Sequence, residues 1–399
     1  MTHAPGFHVT VDEHAEHIRA LLSGVDPGTE TVPLAAALGR VSVDVTLSPV
    51  DLPLFRNSQM DGFAVRAADI VSVPAELPIV GEIAARPLSP AALAPGTAVR
   101  IMTGAVVPEG ADAVVPVEDT TSSGDLVTIA RSRRVGEYVR ERGSDLRAGT
   151  SLVPAGTRLA SRHLGALAAA GIGSVAVRQR IRVAVITTGS ELVGVESTPT
   201  LGQVFDANSV AVQAAVQSAG AVVTFTARVT DDVTAMTEAL HSASESSDII
   251  VTSGGISMGD YEVVREALEP LGALVGHVAM QPGGPQATAV VDGTPVLCFP
   301  GNPVSTQLSV EIFLAPLLRE WSGSAPAQRE SRVLVGTITS APGKRQFLRA
   351  RRLEGGRVET VAGPGSHLVA GLAASDALID VPLETTRIEE GSTVDIWIL

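Results

Sequence analysis

The sequence predicts an α/β and β multidomain protein whose central part is a doubly wound, mostly parallel sheet. Three observations predict it. Between residues 183 and 318, apolar strand-like runs alternate with amphipathic helical patterns, which specifies a parallel sheet covered on both faces. From 51 to 139, short β-rich runs are separated by Pro and Gly turns, the texture of a small β domain. From 332 to 399, short strands and glycine turns follow one another with no convincing helix, which reads as a small barrel or sandwich. A chain of 399 residues is too long for one ordinary compact domain and suggests two to four.

The elements follow in order. Residues 8–23 carry apolar side chains at helical spacing (Val11, Ala15, Ile18, Leu21, Leu22) ahead of Gly24, so a short surface helix is predicted. Residues 161–171 form an alanine-rich helical pattern that ends at a glycine. In the alternating region, strands are predicted at 183–187, 222–227, 249–252, 275–279 and 296–299. Helices are predicted between them at 209–219, 233–244, 263–271 and 304–318. Ser322-Gly323-Ser324-Ala325-Pro326 is a plausible linker to the last region.

Composition narrows the function classes. Hydrophobic residues make up 45% of the chain and aromatics only 3%, so the cores are built from Val, Ala, Leu and Ile. The formal net charge is −14, a field that repels nucleic acid and anionic membrane surfaces. An anionic ligand must therefore be held by a local device. Lys344 is the sole lysine, which by itself implies no function. Cys298, the lone cysteine, sits in the apolar run Pro295-Val296-Leu297-Cys298-Phe299 and reads as a small buried hydrophobe. Met1-Thr2-His3-Ala4-Pro5 lacks the basic start and apolar run of a signal peptide, and no stretch is long and apolar enough to cross a bilayer. The expectation is a cytoplasmic protein without membrane or nucleic-acid partners.

In a doubly wound sheet, ligands bind beyond the carboxyl ends of the strands. Three loops follow predicted strands: Thr187-Thr188-Gly189-Ser190-Glu191, Ser253-Gly254-Gly255-Ile256-Ser257 and Pro300-Gly301-Asn302-Pro303-Val304-Ser305. Each alone is an ordinary tight strand–helix turn. Three hydroxyl-bearing glycine loops on one edge point instead to a site for a phosphorylated ligand, with a helix starting at Val304 directing N–H groups towards it. Glu191, Asp231, Asp232 and Asp260 lie in or near loops that reach the same edge, where carboxylates beside an anion call for a bridging cation such as Mg²⁺. The competing reading of Asp231-Asp232 is a helix N-cap before Val233, and that of Asp260 a solvated turn residue. The eight histidines show no metal-ligand spacing, so no zinc site is predicted.

Several motifs, taken together and in order, resemble the molybdopterin molybdenumtransferase family (MoeA and gephyrin E-domain). Asn57-Ser58-Gln59-Met60-Asp61-Gly62-Phe63-Ala64-Val65 resembles its N-S-x-M-D-G-[YF]-A-[VL] signature. Arg100-Ile101-Met102-Thr103-Gly104-Ala105 and Pro108-Glu109-Gly110-Ala111-Asp112 are similar to its R-I-x-T-G-A-x-x-P-x-G-A-D stretch. Gly143-Ser144-Asp145, Thr188-Gly189-Ser190-Glu191-Leu192 and the 253–260 and 300–305 loops complete the series.

The resemblance implies a molybdopterin-binding type of sheet domain within four subdomains: 1–50 with 140–178 as a split linker domain, 51–139 as a β-rich domain, 179–322 as the α/β domain and 327–399 as a C-terminal β-barrel. It also implies a homodimer, with an active site formed between the sheet edge of one protomer and the β domain of the other. The implied reaction takes adenylylated molybdopterin and molybdate, hydrolyses the phosphoanhydride with Mg²⁺ present, releases AMP and leaves molybdenum on the dithiolene. Transient contact with a molybdopterin adenylyltransferase is implied as well. Asp61, Thr103, Asp145, Glu191, Asp232 and Asp260 carry over as acidic or hydroxyl site groups, with Asp231 an equal candidate to Asp232 and Glu262 an alternative to Asp260. Glu191, Asp231, Asp232 and Asp260 would hold the metal. Gly189, Ser190, Ser253, Gly254, Gly255, Ser257, Pro300, Gly301, Asn302, Pro303 and Ser305 carry over as cofactor contacts. Arg345 and Arg349 resemble a basic element of the barrel that faces the site, and charge on an exposed barrel strand is the competing reading.

One departure stands out. The family usually reads P-G-K-P where this chain has Pro282-Gly283-Gly284-Pro285, so a lysine placed to meet anionic ligand is missing. Another arginine or a second metal supplies that charge, or the chain is a molybdopterin-binding or scaffold paralogue with weakened catalysis.

Overall fold

The computed structural model describes residues 7–256 and 262–399, and the chain divides into two compact units. One contains residues 7–30, Gly39–Val41 and Arg178–Leu399, and the other Thr31–Leu38 and Ser42–Val177. No helix among the described residues is long and apolar enough to cross a membrane.

The first unit is organised by a seven-stranded sheet. Its order is Phe7–Val9, Leu274–Val278, Pro285–Val291, Thr294–Phe299, Ile249–Ser253, Arg182–Thr188 and Val222–Val229. The last four are mutually parallel. The central runs are continuous and apolar because helices bury them on both faces. One face packs against helices Val11–Leu22 and Ala207–Ser218 and the helical run that begins at Pro303, with Ile18, Val212, Leu308 and Phe313 in its core. The other packs against Val233–Ser244 and Val263–Leu268 through Met236, Leu240, Val263 and Leu268. Cys298 is fully buried there, and desolvation pushes its thiol up to about 12. It is inert packing.

Four details differ from the sequence reading. Pro285–Val291 is a strand antiparallel to both neighbours, joined to Thr294–Phe299 by a turn in which Asp292 (φ 49°) and Gly293 (φ 85°) are both left-handed. Asp-Gly is a strong hairpin signal, and it was masked by the proline and polar residues that open the strand. The first helix is not a surface helix: Val11, Ile18 and Leu22 are buried, and the strand Phe7–Val9 before it joins the sheet. Residues 7–30 therefore cluster with the sheet unit and not with segment 140–178. The helical run predicted at 304–318 is interrupted by a wide turn at Val310–Leu314, just before Pro316, whose ring has no N–H to give the preceding turn. Finally, a short helix, Val369–Ala373, does occur in the C-terminal region.

Five strands of that region close into a barrel: Arg345–Leu353, Arg357–Thr360, Arg329–Val335, Thr393–Ile398 and Ala377–Val381, the last pairing back onto the first. Met280–Gln281 of the sheet domain adds to it in parallel, with Met280 opposite Arg345 and Gln281 opposite Gln346.

The second unit carries a six-stranded sheet in the order Ala113–Pro116, Gly62–Val65, Ala98–Ile101, Ala75–Ile83, Leu126–Ile129 and Thr120–Ser123. Gly62 is obligatory in the second of these, because a Cβ there would stand 2.0 Å from the Val115 carbonyl oxygen. The alanine-rich helix Ser161–Ala169 packs Leu167 into a separate small core.

His14 on the first helix makes a pH prediction. Its ring is buried against Phe313, 4.8 Å away edge to face, and burial followed by the nearby His17 lowers its pKa from 6.5 to about 4. The unfolded chain protonates first on acidification, so folding stability attributable to this group is intact above pH 6.5 and lost as pH falls towards 4. The loss amounts to about 3 kcal/mol. Urea denaturation at several pH values should show it, and His14→Phe should remove it.

Candidate functional site

The register of the sheet brings three loops together. Thr187 lies opposite Ser253, and Ser253 opposite Phe299, so the chain leaves the sheet at Thr188, Gly254 and Pro300 along one edge. Gly254 has φ 98°, and a Cβ on it would stand 2.7 Å from the Thr188 carbonyl oxygen. A Cβ on Gly301 would in turn stand 3.2 Å from the Gly254 Cα. Only bare backbone fits this layer. Asn208, near the start of its helix, clamps it from below: its Nδ2 donates to Ser253 Oγ (2.9 Å) and to the Gly301 carbonyl (2.7 Å). The Thr306 hydroxyl donates to the Asn302 carbonyl at 3.1 Å and to the Pro300 carbonyl. The Ser253 hydroxyl is thus spent inside the scaffold.

Above these loops lies a cleft of about 820 Å³. Of the expected ligand-contact residues, Gly189, Ser253, Gly254, Gly255, Pro300, Gly301, Asn302 and Ser305 line it. Ser190 and Pro303 do not. Ser190 turns outward and gives its N–H to Asp231, while Pro303 opens a helix at the position that needs no N–H donor. The Val304 N–H, expected to face ligand, is taken by the Ser366 carbonyl at 3.1 Å. Ser257 and Asp260 lie outside the described residues.

The acidic doublet divides cleanly. Asp232 caps helix Val233–Ser244, its Oδ1 accepting from the Ala235 N–H at 2.7 Å, and it does not line the cleft. This bond matches the competing N-cap reading of Asp232. Asp231 lines the cleft and accepts from the Ser190 N–H at 3.0 Å. Glu191 also lines it, its carboxylate folded back over Gly189, where a Cβ would meet Glu191 Oε2 at 2.5 Å. Glu262 is the third acid of the lining.

The two expected arginines are engaged within the first unit. Arg345 is held by Asp380 (2.7 and 2.8 Å) and Asp12 (2.9 Å), which stabilise its charged form, and it does not line the cleft. Arg349 is 3% exposed and donates from Nη2 to the Gly363 carbonyl, at the root of the Pro364–His367 loop that does line the cleft. Burial without a carboxylate lowers its pKa below the ordinary arginine value. The basic groups that line the cleft are His277, Lys344 and His367, none of which the sequence reading selected.

Asp61, Thr103 and Asp145 belong to the second unit. Asp61 precedes strand Gly62–Val65 and Thr103 follows the antiparallel strand Ala98–Ile101, whose Ile101 lies opposite Gly62. The Asp61 Oδ1 accepts from both the Thr103 N–H (2.7 Å) and the Thr103 hydroxyl (2.8 Å). The backbone bond, then the hydroxyl bond, lowers the Asp61 pKa below the usual carboxylate range. Asp145 is exposed, on a loop tied down by Asp51, which accepts from Arg142 Nε and the Ala148 N–H. The buried Asn57 and Ser58 of the signature bond back to their own loop, at the Phe55 and Met60 carbonyls, and so act as scaffold.

A metal is not caged by protein here: among the described residues no three His, Cys, Asp or Glu side chains converge on one point. Glu191 and Asp231 suit Mg²⁺ nevertheless, which is ordinarily held by one or two carboxylates together with phosphate oxygens and water. The donor set fits such an ion only with a phosphorylated ligand present.

Comparison with known proteins decides the family. Residues 9–171 match the MoeA N-terminal region (domains I and II), 184–320 a probable molybdopterin binding domain and 333–399 the MoeA C-terminal region (domain IV). Molybdopterin molybdenumtransferase 2 of Mycobacterium tuberculosis is 39% identical, covering 97% of this chain and 99% of its own. The chain belongs to the MoeA family. A Nostoc molybdopterin molybdenumtransferase is 36% identical over 92% of this chain and 88% of its own. The crystal structure of the molybdopterin biosynthesis MoeA protein from Pyrococcus horikoshii matches with a TM-score of 0.84 and 30% identity, covering 98% of this chain and 99% of that one. This MoeA-family chain is accordingly a transferase of molybdenum cofactor biosynthesis, with the family's multidomain fold and closed C-terminal barrel.

Proposed function

We propose that the cleft binds adenylylated molybdopterin and that the protein moves molybdate onto its dithiolene while the phosphoanhydride is hydrolysed and AMP leaves. The observation that carries this reading is the floor of the cleft. Three glycine turns present bare backbone, and carboxylates stand at the same edge. A phosphorylated ligand and a divalent cation satisfy both features together, and neither does so alone.

In this reading, Gly189, Gly254, Gly255 and Gly301 let the phosphates approach the backbone closely. Ser305 and Asn302 border them, and Asn208 holds the turns in register. Glu191 and Asp231 would hold Mg²⁺, which when bound would offset phosphate charge and polarise the anhydride. Asp61, Thr103 and Asp145 are proposed as further site groups. The reading extends to a homodimer, to transient hand-over from a molybdopterin adenylyltransferase and to a cytoplasmic location.

Reconstitution tests it. The purified protein, adenylylated molybdopterin and molybdate should release AMP with Mg²⁺ and not with EDTA. Tight nucleotide binding without AMP release would instead favour a molybdopterin-binding paralogue, the reading that Gly284 in place of lysine raises. Absence of both would defeat the proposal.

A further inference from the structure

The turn Pro300-Gly301-Asn302 has its first two carbonyls held from below. The Pro300 carbonyl accepts from the Thr306 hydroxyl, and the Gly301 carbonyl accepts from Asn208 Nδ2 at 2.7 Å. Thr306 and Asn208 are buried, whereas Gly301 and Asn302 are exposed and line the cleft. Both peptides are trans, so in each the N–H points away from the C=O. The Gly301 and Asn302 N–H groups are therefore turned towards the cleft, and among the described residues no acceptor takes either. Pro300 and Pro303 have no N–H, so these two are the sole amide donors between Phe299 and Val304. The Val304 N–H, by contrast, is already spent on Ser366.

The Asn208 carboxamide is used on one side only. Its Nδ2 donates to Ser253 Oγ and to the Gly301 carbonyl, while its Oδ1 is buried and has no partner among the described residues. Turning the amide over would set Oδ1 against the Gly301 carbonyl, acceptor facing acceptor, so its orientation is fixed. A buried acceptor left bare is costly. Alanine would avoid that cost and give up both donors. What offsets the cost is the direction forced on the peptide above.

We propose that Asn208 is a positioning residue of the hydrolysis. By holding the Gly301 carbonyl under the floor of the cleft, it aims the Asn302 N–H upward. Together with the Gly301 N–H, aimed in the same way by Thr306, this makes a pair of preset donors for the phosphate oxygens of the nucleotide. Without Asn208, the 301–302 peptide is free to swing its carbonyl up and present partial negative charge to those oxygens. Donors fixed in advance stabilise accumulating charge without reorganising. The proposal rests on the reading that the cleft takes adenylylated molybdopterin.

Hydrogen exchange followed by mass spectrometry, together with single-turnover AMP release, tests it on the full-length protein. In EDTA, adenylylated molybdopterin should slow exchange at Gly301 and Asn302 at least about tenfold in the wild type and less than about twofold in Asn208→Ala. With Mg²⁺, Asn208→Ala should lower AMP release about a hundredfold, while nucleotide affinity falls less than about tenfold. Asn208→Asp, which keeps the shape and removes the donors, should behave alike. Thr306→Val should also slow release, and Thr306→Ser, which keeps the hydroxyl, should restore it. A purely structural role would lower the urea midpoint and leave amide protection and AMP release of the folded protein at wild-type values. That result would overturn the proposal, as would bound nucleotide that leaves both amides unprotected in the wild type. If Asn208→Ala does not fold, Asn208→Asp and the Thr306 pair carry the test. Wild-type protein that neither binds nor cleaves the nucleotide would sink the cleft reading, and this inference with it. Normal turnover in a folded Asn208 variant would sink this inference alone.

Discussion

Glu191→Ala is expected to lower AMP release on the order of a hundred- to a thousandfold, with an unchanged denaturation profile. The carboxylate is exposed in the cleft and contributes no core packing, so its removal costs the fold little. What it removes is one of the two carboxylates that would hold Mg²⁺ against the phosphates, with Asp231 left to act alone. The loss should appear in kcat more than in nucleotide affinity, since the glycine turns remain. Single-turnover AMP release and equilibrium binding separate the two. Unaltered turnover would take Glu191 out of the mechanism.

Gly254→Ala is expected to have the largest effect on stability of any single methyl added to the site. The residue sits at φ 98°, and the new Cβ would stand 2.7 Å from a backbone oxygen, which unlike a side chain cannot rotate away. Strain and clash together should cost about 2–4 kcal/mol. Because Gly301 packs against the Gly254 Cα, the shift should spread to the 300–302 turn and weaken nucleotide binding. Gly272→Ala is the control: its φ is 80°, but nothing lies within 4 Å of the added carbon. It should cost only about 1 kcal/mol and leave binding intact. Equal losses at the two positions, by urea titration, would show that the close-packed floor is not what makes Gly254 necessary.

The sheet and its binding edge were legible because their causes are local. Buried parallel strands read as unbroken apolar runs, and the glycine turns fall at their ends. Long-range placement was not legible. Asp231 and Asp232 are adjacent in sequence, and only the course of the helix shows that one caps it while the other faces Ser190. A helix-cap rule read strictly at Val233 would have separated them. Asn208 looked like an ordinary helical residue, yet it ties two loops together. Arg345 and Arg349 matched a basic element, but carboxylates and a carbonyl within the first unit had already claimed them. Lys344 carried no motif at all. It reaches the cleft only because two residues of the sheet domain pair with a barrel strand. The barrel itself was expected from its short strands and glycine turns, whereas the pairings that close it, remote in sequence, were not legible.

The most direct measurement is a crystal structure of the protein soaked with adenylylated molybdopterin and magnesium. The account predicts density along the sheet edge, with phosphates over Gly254 and Gly301 and a metal beside Glu191 and Asp231. Nucleotide bound elsewhere, with that edge left vacant, would contradict it.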